Sequence, residues 1–280
     1  MDTSLLKKQL LLINKKDLID FIFNSKKFIQ ENDSAMDELE EAFKKKFYIS
    51  EKKEDEKVLR TEDTGKIFEM AICLAYGIKY EGPYKYSMES AEKLKQRLSK
   101  LIDLFPMCTH TARKGARYDF TCLEDETKHL SAKTTKKGLG KVAPQVIGQC
   151  QPKKFCEIVG IKYTDNADLK KYIQEEIVKI IPIMVHYTFD CPNIYYNQET
   201  DKIRYIILKK PIEWDKYQFR WTSDYAHWNN SSTLKIIIDG KEYALLEFQF
   251  HTKGRTNMAI RWVYENFLTI FKDYLEIINY

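Results

Sequence analysis

Residues 118–141 read YDFTCLEDETKHLSAKTTKKGLGK. YDFTC is short and apolar except for Asp119. HLSAKTT alternates apolar and polar residues, and the LEDETKH stretch between them is polar throughout. That pattern predicts two β-strands joined by a turn. Side chains alternate across a strand, so Ser131 and Lys133 share one face and Leu130 and Ala132 the other. Such a hairpin brings Asp119, Ser131 and Lys133 to one spot, and a plain turn needs none of their polar groups. The loop directly behind, TTKKGLGK, is basic.

Upstream, TEDTGKIFEMAICLAYGIKYEGPY predicts a helix capped by Asp63 or Thr64 and ended by Gly77 and the Gly82-Pro83 pair. MESAEKLKQRLSKLIDLF predicts a second, amphipathic helix. Downstream, PQVIGQCQPKKFCEIVG reads as a helix with a break at Gly148. From about residue 155 the texture is β-like: IIPIMVHYTF, KIRYIILKKPI, TLKIIID and YALLEFQFH, with Asp239-Gly240 as a hairpin dipeptide. MAIRWVYENFLTIFKDYLEII closes the chain at helical spacing. The expected fold is α/β (α+β), a mixed central β-sheet flanked by helices. An N-terminal helical region covers 1–60, where DELEEAFKKKF sets acids ahead of lysines. A core follows over 61–160, then a β-rich remainder with a C-terminal helix over 161–280.

With 44% hydrophobic and 31% charged residues, the 280-residue chain reads as soluble and globular. No apolar run approaches the ~20 residues of a membrane span, and the start MDTSLLKKQLLLINKK reads as an amphipathic helix rather than a signal peptide. Six cysteines without a CxxC pair point to reduced, buried thiols in a cytoplasmic protein and against a structural zinc site. Between residues 106 and 155 there are ten Lys/Arg against four acids, a larger excess than the +5 of the whole chain. The positive charge is therefore local. It suits either an anionic polymer or a solvated lysine-rich surface.

Glu69 lies inside the first apolar helix, where an unpaired carboxylate is expensive. It is either in a salt bridge or part of a site. The order helix-Glu69, strand-Asp119, hairpin, Ser131-Ala132-Lys133 resembles the PD-(D/E)xK nuclease superfamily, and within it the type II restriction endonucleases. The resemblance covers roughly 65–150, about a third of the chain. It implies Mg²⁺ on Asp119, with the Ala132 carbonyl and Glu69 as further ligands, and Lys133 orienting or deprotonating water and stabilising charge at the phosphate. Mg²⁺ favours such hard oxygen ligands. Ser131 departs from the pattern, which has an acid there. Some members with Ser or Thr recruit a carboxylate from the following helix. Here that segment offers Gln145 and Gln149, which leaves Glu69 or a glutamine amide oxygen such as that of Gln145 as the substitute.

Lys136, Lys137 and Lys141, with the backbone of their loop, suit DNA phosphates, as do Arg113 and Arg117. Near the C-terminus, FQFHTKGRTNMAIRW offers Gln249, His251, Lys253, Arg255, Asn257 and Arg261 for base readout, or is an ordinary polar loop. Asp239, Glu247 and Gln249 make a rival acid-x-Gln centre without the lysine. TEDTGKI lacks the first glycine of a P-loop, and the scattered His227 and His251 make a poor HNH site.

The resemblance implies a site-specific endonuclease hydrolysing double-stranded DNA to 5′-phosphate and 3′-hydroxyl ends. It also implies a homodimer on a palindromic site and a cognate DNA methyltransferase in a restriction-modification system. The alternatives are a repair or recombination nuclease on the same fold, or a non-catalytic DNA-binding protein.

Overall fold

The structure, a computed structural model, describes residues 61–112, 116–251 and 256–280. The N-terminal helical region, Arg113, Lys114, Lys253 and Arg255 lie outside the described residues.

Helix α1 (Thr61–Tyr76) forms because Ile67, Phe68, Ala71, Ile72 and Cys73 recur on one side and bury completely or nearly so. It stops at Gly77, whose φ of 63° is the left-handed value that glycine adopts freely. The Gly77 N–H then reaches the Leu74 carbonyl and the Ile78 N–H reaches that of Cys73, a Schellman end. Helices α2 (Met88–Arg97), capped by Ser87, and α3 (Leu101–Leu104) complete this layer.

The layer packs on a six-stranded mixed sheet built from β1 (Cys108–His110), β2 (Phe120–Cys122), β3 (His129–Thr135), β6 (Asn193–Asn197), β7 (Lys202–Leu208) and β12 (Leu275–Asn279), in the order β1-β2-β3-β6-β7-β12. The β2–β3 hairpin is antiparallel, with Phe120 opposite Leu130, as the 118–141 pattern requires. β3 and β6 are the one parallel pair of this sheet. Every residue of β6 is buried, which fits a central strand covered on both faces. Ile194 and Tyr196 join the core under α1 and α2, while Tyr195 points into the core on the opposite face.

The parallel crossover from β3 to β6 carries β4 (Lys141–Val142), β5 (Gln149–Cys150) and helices α4 (Pro152–Val159), α5 (Asn166–Glu175) and α6 (Ile177–Phe189). β4 and β5 both pair with β11 (Met258–Val263), which continues through β10 (Lys241–Phe250) and β9 (Ser231–Ile238) to β8 (Gln218–Trp221) as a second, antiparallel sheet. Asp239 and Gly240 both have positive φ and turn β9 into β10, the geometry that their dipeptide favours. Helix α7 (Tyr264–Ile270) leads back to β12.

Three expectations change. Residues 180–189, expected as a strand, lie in α6: Ile177, Ile180, Ile181, Met184, Val185 and Thr188 bury at steps of three and one, the spacing of a helix face. Their β-branched composition and Pro182 mask that period. Residues 258–278, expected as one helix, form β11, α7 and β12, because both faces of this segment are covered and apolar residues fall everywhere. Residues 144–160 form a helix only from Pro152, which suits a first helical turn. All six cysteines are free and buried.

Candidate active site

β2 pairs with β3 only at Phe120–Leu130 and Thr121–His129. Beyond Leu130 that edge of β3 is open, while its other edge runs along β6. Asp119, one residue ahead of β2, fills the opening. Its Oδ2 accepts a hydrogen bond from Ser131 Oγ at 2.9 Å and from the Ala132 N–H at 2.8 Å. Its own carbonyl is fixed by the N–H groups of Thr111 and Ala112. A strand residue sends its N–H and C=O off the same edge, so the Ala132 carbonyl faces this opening too. Lys133 lies on the same face of β3 as Ser131.

The electrostatics follow from this enclosure. Burial pushes the Asp119 carboxyl above its ordinary value. The charge of Lys133 and the two hydrogen bonds oppose that shift, and the charge of Glu69 adds to it. Lys133 thus acts on Asp119 through space while closing no salt bridge among the described residues.

Glu69 is placed by α1 and is buried, but it is already engaged. Lys66, one turn earlier, donates to both of its oxygens at 2.9 and 2.8 Å. His110 Nδ1 accepts from the Glu81 N–H at 3.0 Å, so the ring proton sits on Nε2, 3.3 Å from Glu69 Oε2. Burial raises the Glu69 carboxyl, and His110 with Lys66 outweighs it, so the net shift is downward. The salt-bridge reading of Glu69 therefore holds. The i,i+3 lysine was legible in sequence, whereas the histidine on β1 was not.

Gln145 is buried near the same place. Its backbone N–H donates to the Tyr187 carbonyl, and its Nε2 lies 3.6 Å from Cys191 Sγ. Cys191, raised to about 12 by burial, feels both Asp119 and Lys133. The Gln145 Oε1 is buried with no hydrogen-bond partner, an orphan acceptor of the kind that calls for a cation or water. Among the described residues no three of His, Cys, Asp and Glu converge as a metal cluster. The donors on offer are one carboxylate and neutral oxygens. They fit Mg²⁺, which uses one or two carboxylates and keeps several waters.

The basic residues separate into two kinds. Lys137 is exposed. Lys141 donates to Glu247 at 2.6 Å, and Arg117 pairs with Asp190 at 2.6 Å. The expected offer of loop N–H groups to phosphate is corrected at two positions: Gly138 N–H donates to the Glu199 carboxylate and Gly140 N–H to the Lys137 carbonyl. Near the C-terminus, Arg261 donates to Gln249 and pairs with Glu247 at 2.8 Å. Asn257 accepts the His251 N–H at its backbone, and its side-chain Oδ1 is buried without a partner. The rival centre does not assemble. Asp239 sits in the turn and Glu247 eight residues on, on the order of 20 Å away along an extended strand.

No family model matches the chain, and no solved structure matches it. It is similar to the type II restriction enzyme CviAII of Paramecium bursaria Chlorella virus 1, with 44% identity over 232 residues. That alignment covers 82% of this chain and 66% of the enzyme, so the chain spans just under two thirds of its relative's length. Identity of this extent makes the two chains homologous over the 232 aligned residues.

Proposed function

We propose that this chain is a type II restriction endonuclease, cutting double-stranded DNA at a short specific site with Mg²⁺, through a PD-(D/E)xK-type centre. The observation that carries the reading is the Asp119 carboxylate clamped against Ser131 and Ala132 at the open edge of β3, with the charge of Lys133 acting on it and in no salt bridge among the described residues. The named relative supports the same activity.

Asp119, the Ala132 carbonyl and Gln145 Oε1 are the groups that would hold Mg²⁺, one carboxylate with two neutral oxygens. A bound Mg²⁺ supplies polarisation of the phosphate and a more acidic water. Lys133 stabilises the charge that builds on the phosphate and orients the attacking water. Ser131 takes no acid's role. It donates to Asp119 and holds it without adding a second negative charge. Glu69, satisfied by Lys66 and His110, acts on the centre by its field.

Lys136 and Lys137 meet the phosphate backbone, while Lys141 and Arg117 are already ion-paired to Glu247 and Asp190, and Gln249, Arg261 and Asn257 lie on the base-reading side. The N-terminal region 1–60, a homodimer on a palindromic site, a cognate methyltransferase, and a cytoplasmic location with free thiols complete the proposal. No described helix is long and apolar enough to cross a membrane.

The test is digestion of a long, mixed-sequence, unmethylated phage DNA with Mg²⁺ and with EDTA, beside Lys133→Ala. Discrete fragments that need the metal and vanish in the variant support the proposal. A smear indicates a repair-type or non-specific nuclease. Uncut DNA that is still bound indicates a binding protein.

A further inference from the structure

Residues 117–119 are three consecutive residues ahead of β2, and the side chain of each is anchored. Asp119 is held by Ser131 and Ala132. The ring of Tyr118 lies flat on His129, with centroids 3.7 Å apart and planes within 6°. Its hydroxyl donates to Asp190 Oδ2 at 2.5 Å. Arg117 Nη2 lies 2.6 Å from that same Oδ2, and its guanidinium covers the Tyr187 ring at 4.6 Å. One carboxylate oxygen thus fixes both residues that precede Asp119.

Asp190 caps the C-terminus of α6. Two residues later the Pro192 carbonyl accepts the Ser131 N–H at 3.0 Å. The contacts therefore close a ring: Asp119 to Ser131, Ser131 to Pro192, along the chain to Asp190, and from Asp190 through Arg117 and Tyr118 back to Asp119. The Asp190 side chain is only 9% exposed, and its Oδ1 is buried without a hydrogen-bond partner. Packing alone gives no reason to bury a charge at that cost. An asparagine oxygen also accepts from Tyr118, though less strongly than a carboxylate, and what the charge adds beyond that is the hold on Arg117.

We propose that Asp190 is a positioning residue, which sets Arg117 and Tyr118 so that the Asp119 carboxylate stands at the open edge of β3. The inference rests on the proposed role of Asp119. Partners of this kind, one shell behind a ligand, typically change metal affinity or activity by about 10–100-fold when removed.

The experiment compares Asp190→Asn, Asp190→Glu, Tyr118→Phe and Asp119→Asn in the full chain. It measures the cleavage rate at saturating Mg²⁺, the half-saturating Mg²⁺ concentration, DNA affinity in EDTA, and the melting temperature. Asp190→Asn should slow cleavage by about 10–100-fold and raise the Mg²⁺ requirement, with DNA affinity in EDTA unchanged. Asp190→Glu should recover part of the rate. Tyr118→Phe removes only one hydroxyl and should give a smaller shift in the same direction, which keeps the test valid where Asp190→Asn does not fold. A double variant of Asp190→Asn with Arg117→Ala should be little worse than the first alone. If Asp190→Asn melts lower but cuts at the wild-type rate and Mg²⁺ requirement, while Asp119→Asn is inactive, the positioning role is overturned and the proposed centre stands. If Asp119→Asn itself cuts normally, the centre falls and this inference with it.

Discussion

Asp119, one residue ahead of β2, and Glu247, within β10, are both enclosed carboxylates with a lysine at hand, and the fold treats them in opposite ways. Glu247 has Lys141 Nζ at 2.6 Å on one oxygen and Arg261 at 2.8 Å on the other. Asp119 has two neutral donors on one oxygen, and Lys133 acts on it only at a distance. A carboxylate satisfied by two cations has little left to bind. One that is desolvated, held in place and short of positive charge is poised to take a cation. On the proposed reading the first sheet carries the chemistry, while Glu247 ties β10 to Lys141 on β4 and Arg261 on β11 within the second sheet.

The largest expected effect separates the two sites directly. Asp119→Asn and Lys133→Ala should each lower cleavage by at least about 10²–10³-fold, the scale for removing a preorganised charge from an active site. Glu247→Gln should leave the rate within a few-fold. A dead Glu247→Gln beside an active Asp119→Asn, read on the same DNA ladder, inverts the comparison.

Stability should move the other way. Glu247→Gln weakens the charge-assisted hydrogen bond from Lys141 and removes the ion pair with Arg261, and should cost about 1–3 kcal/mol by chemical denaturation. Asp119→Asn should melt higher than the wild type in EDTA at neutral pH. The Asp119 carboxyl titrates above its ordinary 3.8 in the folded state. As pH rises from there through the folded value, the unfolded chain releases a proton that the fold retains, and stability falls. The gain from asparagine should therefore grow across that window and vanish below it. A gain that is flat with pH counts against a desolvated Asp119.

Glu69 sharpens the comparison by a smaller amount. Its charge raises the Asp119 carboxyl, so Glu69→Gln should shift the acid limb of the cleavage profile to lower pH while leaving the plateau rate within about tenfold. Its own carboxyl is held below 4.5 once His110 and Lys66 outweigh burial. That contribution to stability is present above the ordinary value and is lost as pH falls through the depressed one. An unchanged acid limb in Glu69→Gln removes Glu69 from the centre's electrostatics altogether.

The hairpin was legible because its period of two, its polar turn and its charges lie within 24 consecutive residues. Asp119, Ser131 and Lys133 could be placed together from that stretch alone. α6 was misread because Ile, Val and Thr carry strand preference, while the step of three and four that decides the matter spans thirteen residues interrupted by Pro182. The pairing of Lys141 with Glu247 and of Arg117 with Asp190 joins residues 106 and 73 positions apart. For these two, unlike Lys66 with Glu69 one turn away, no local pattern reports that the charge is already engaged. A count of basic residues therefore overstates the charge available to DNA, and the positions of the partners are what correct it.

That correction yields the smallest and most specific prediction. Lys137 is exposed, whereas Lys141 is tied to Glu247 and Arg117 to Asp190. A lysine that meets a phosphate releases about one counterion, so its loss should lower the slope of log affinity against log salt by about 0.9. Lys137→Ala should show that change in metal-free binding, with the preferred sequence unaltered. Lys141→Ala should change the slope less, because its charge is already spent on a carboxylate, and should instead lower the melting temperature by leaving Glu247 with Arg261 alone. Equal slopes for both variants would show that the Lys141–Glu247 pair opens on DNA, and that Glu247 is less firmly neutralised than its contrast with Asp119 requires.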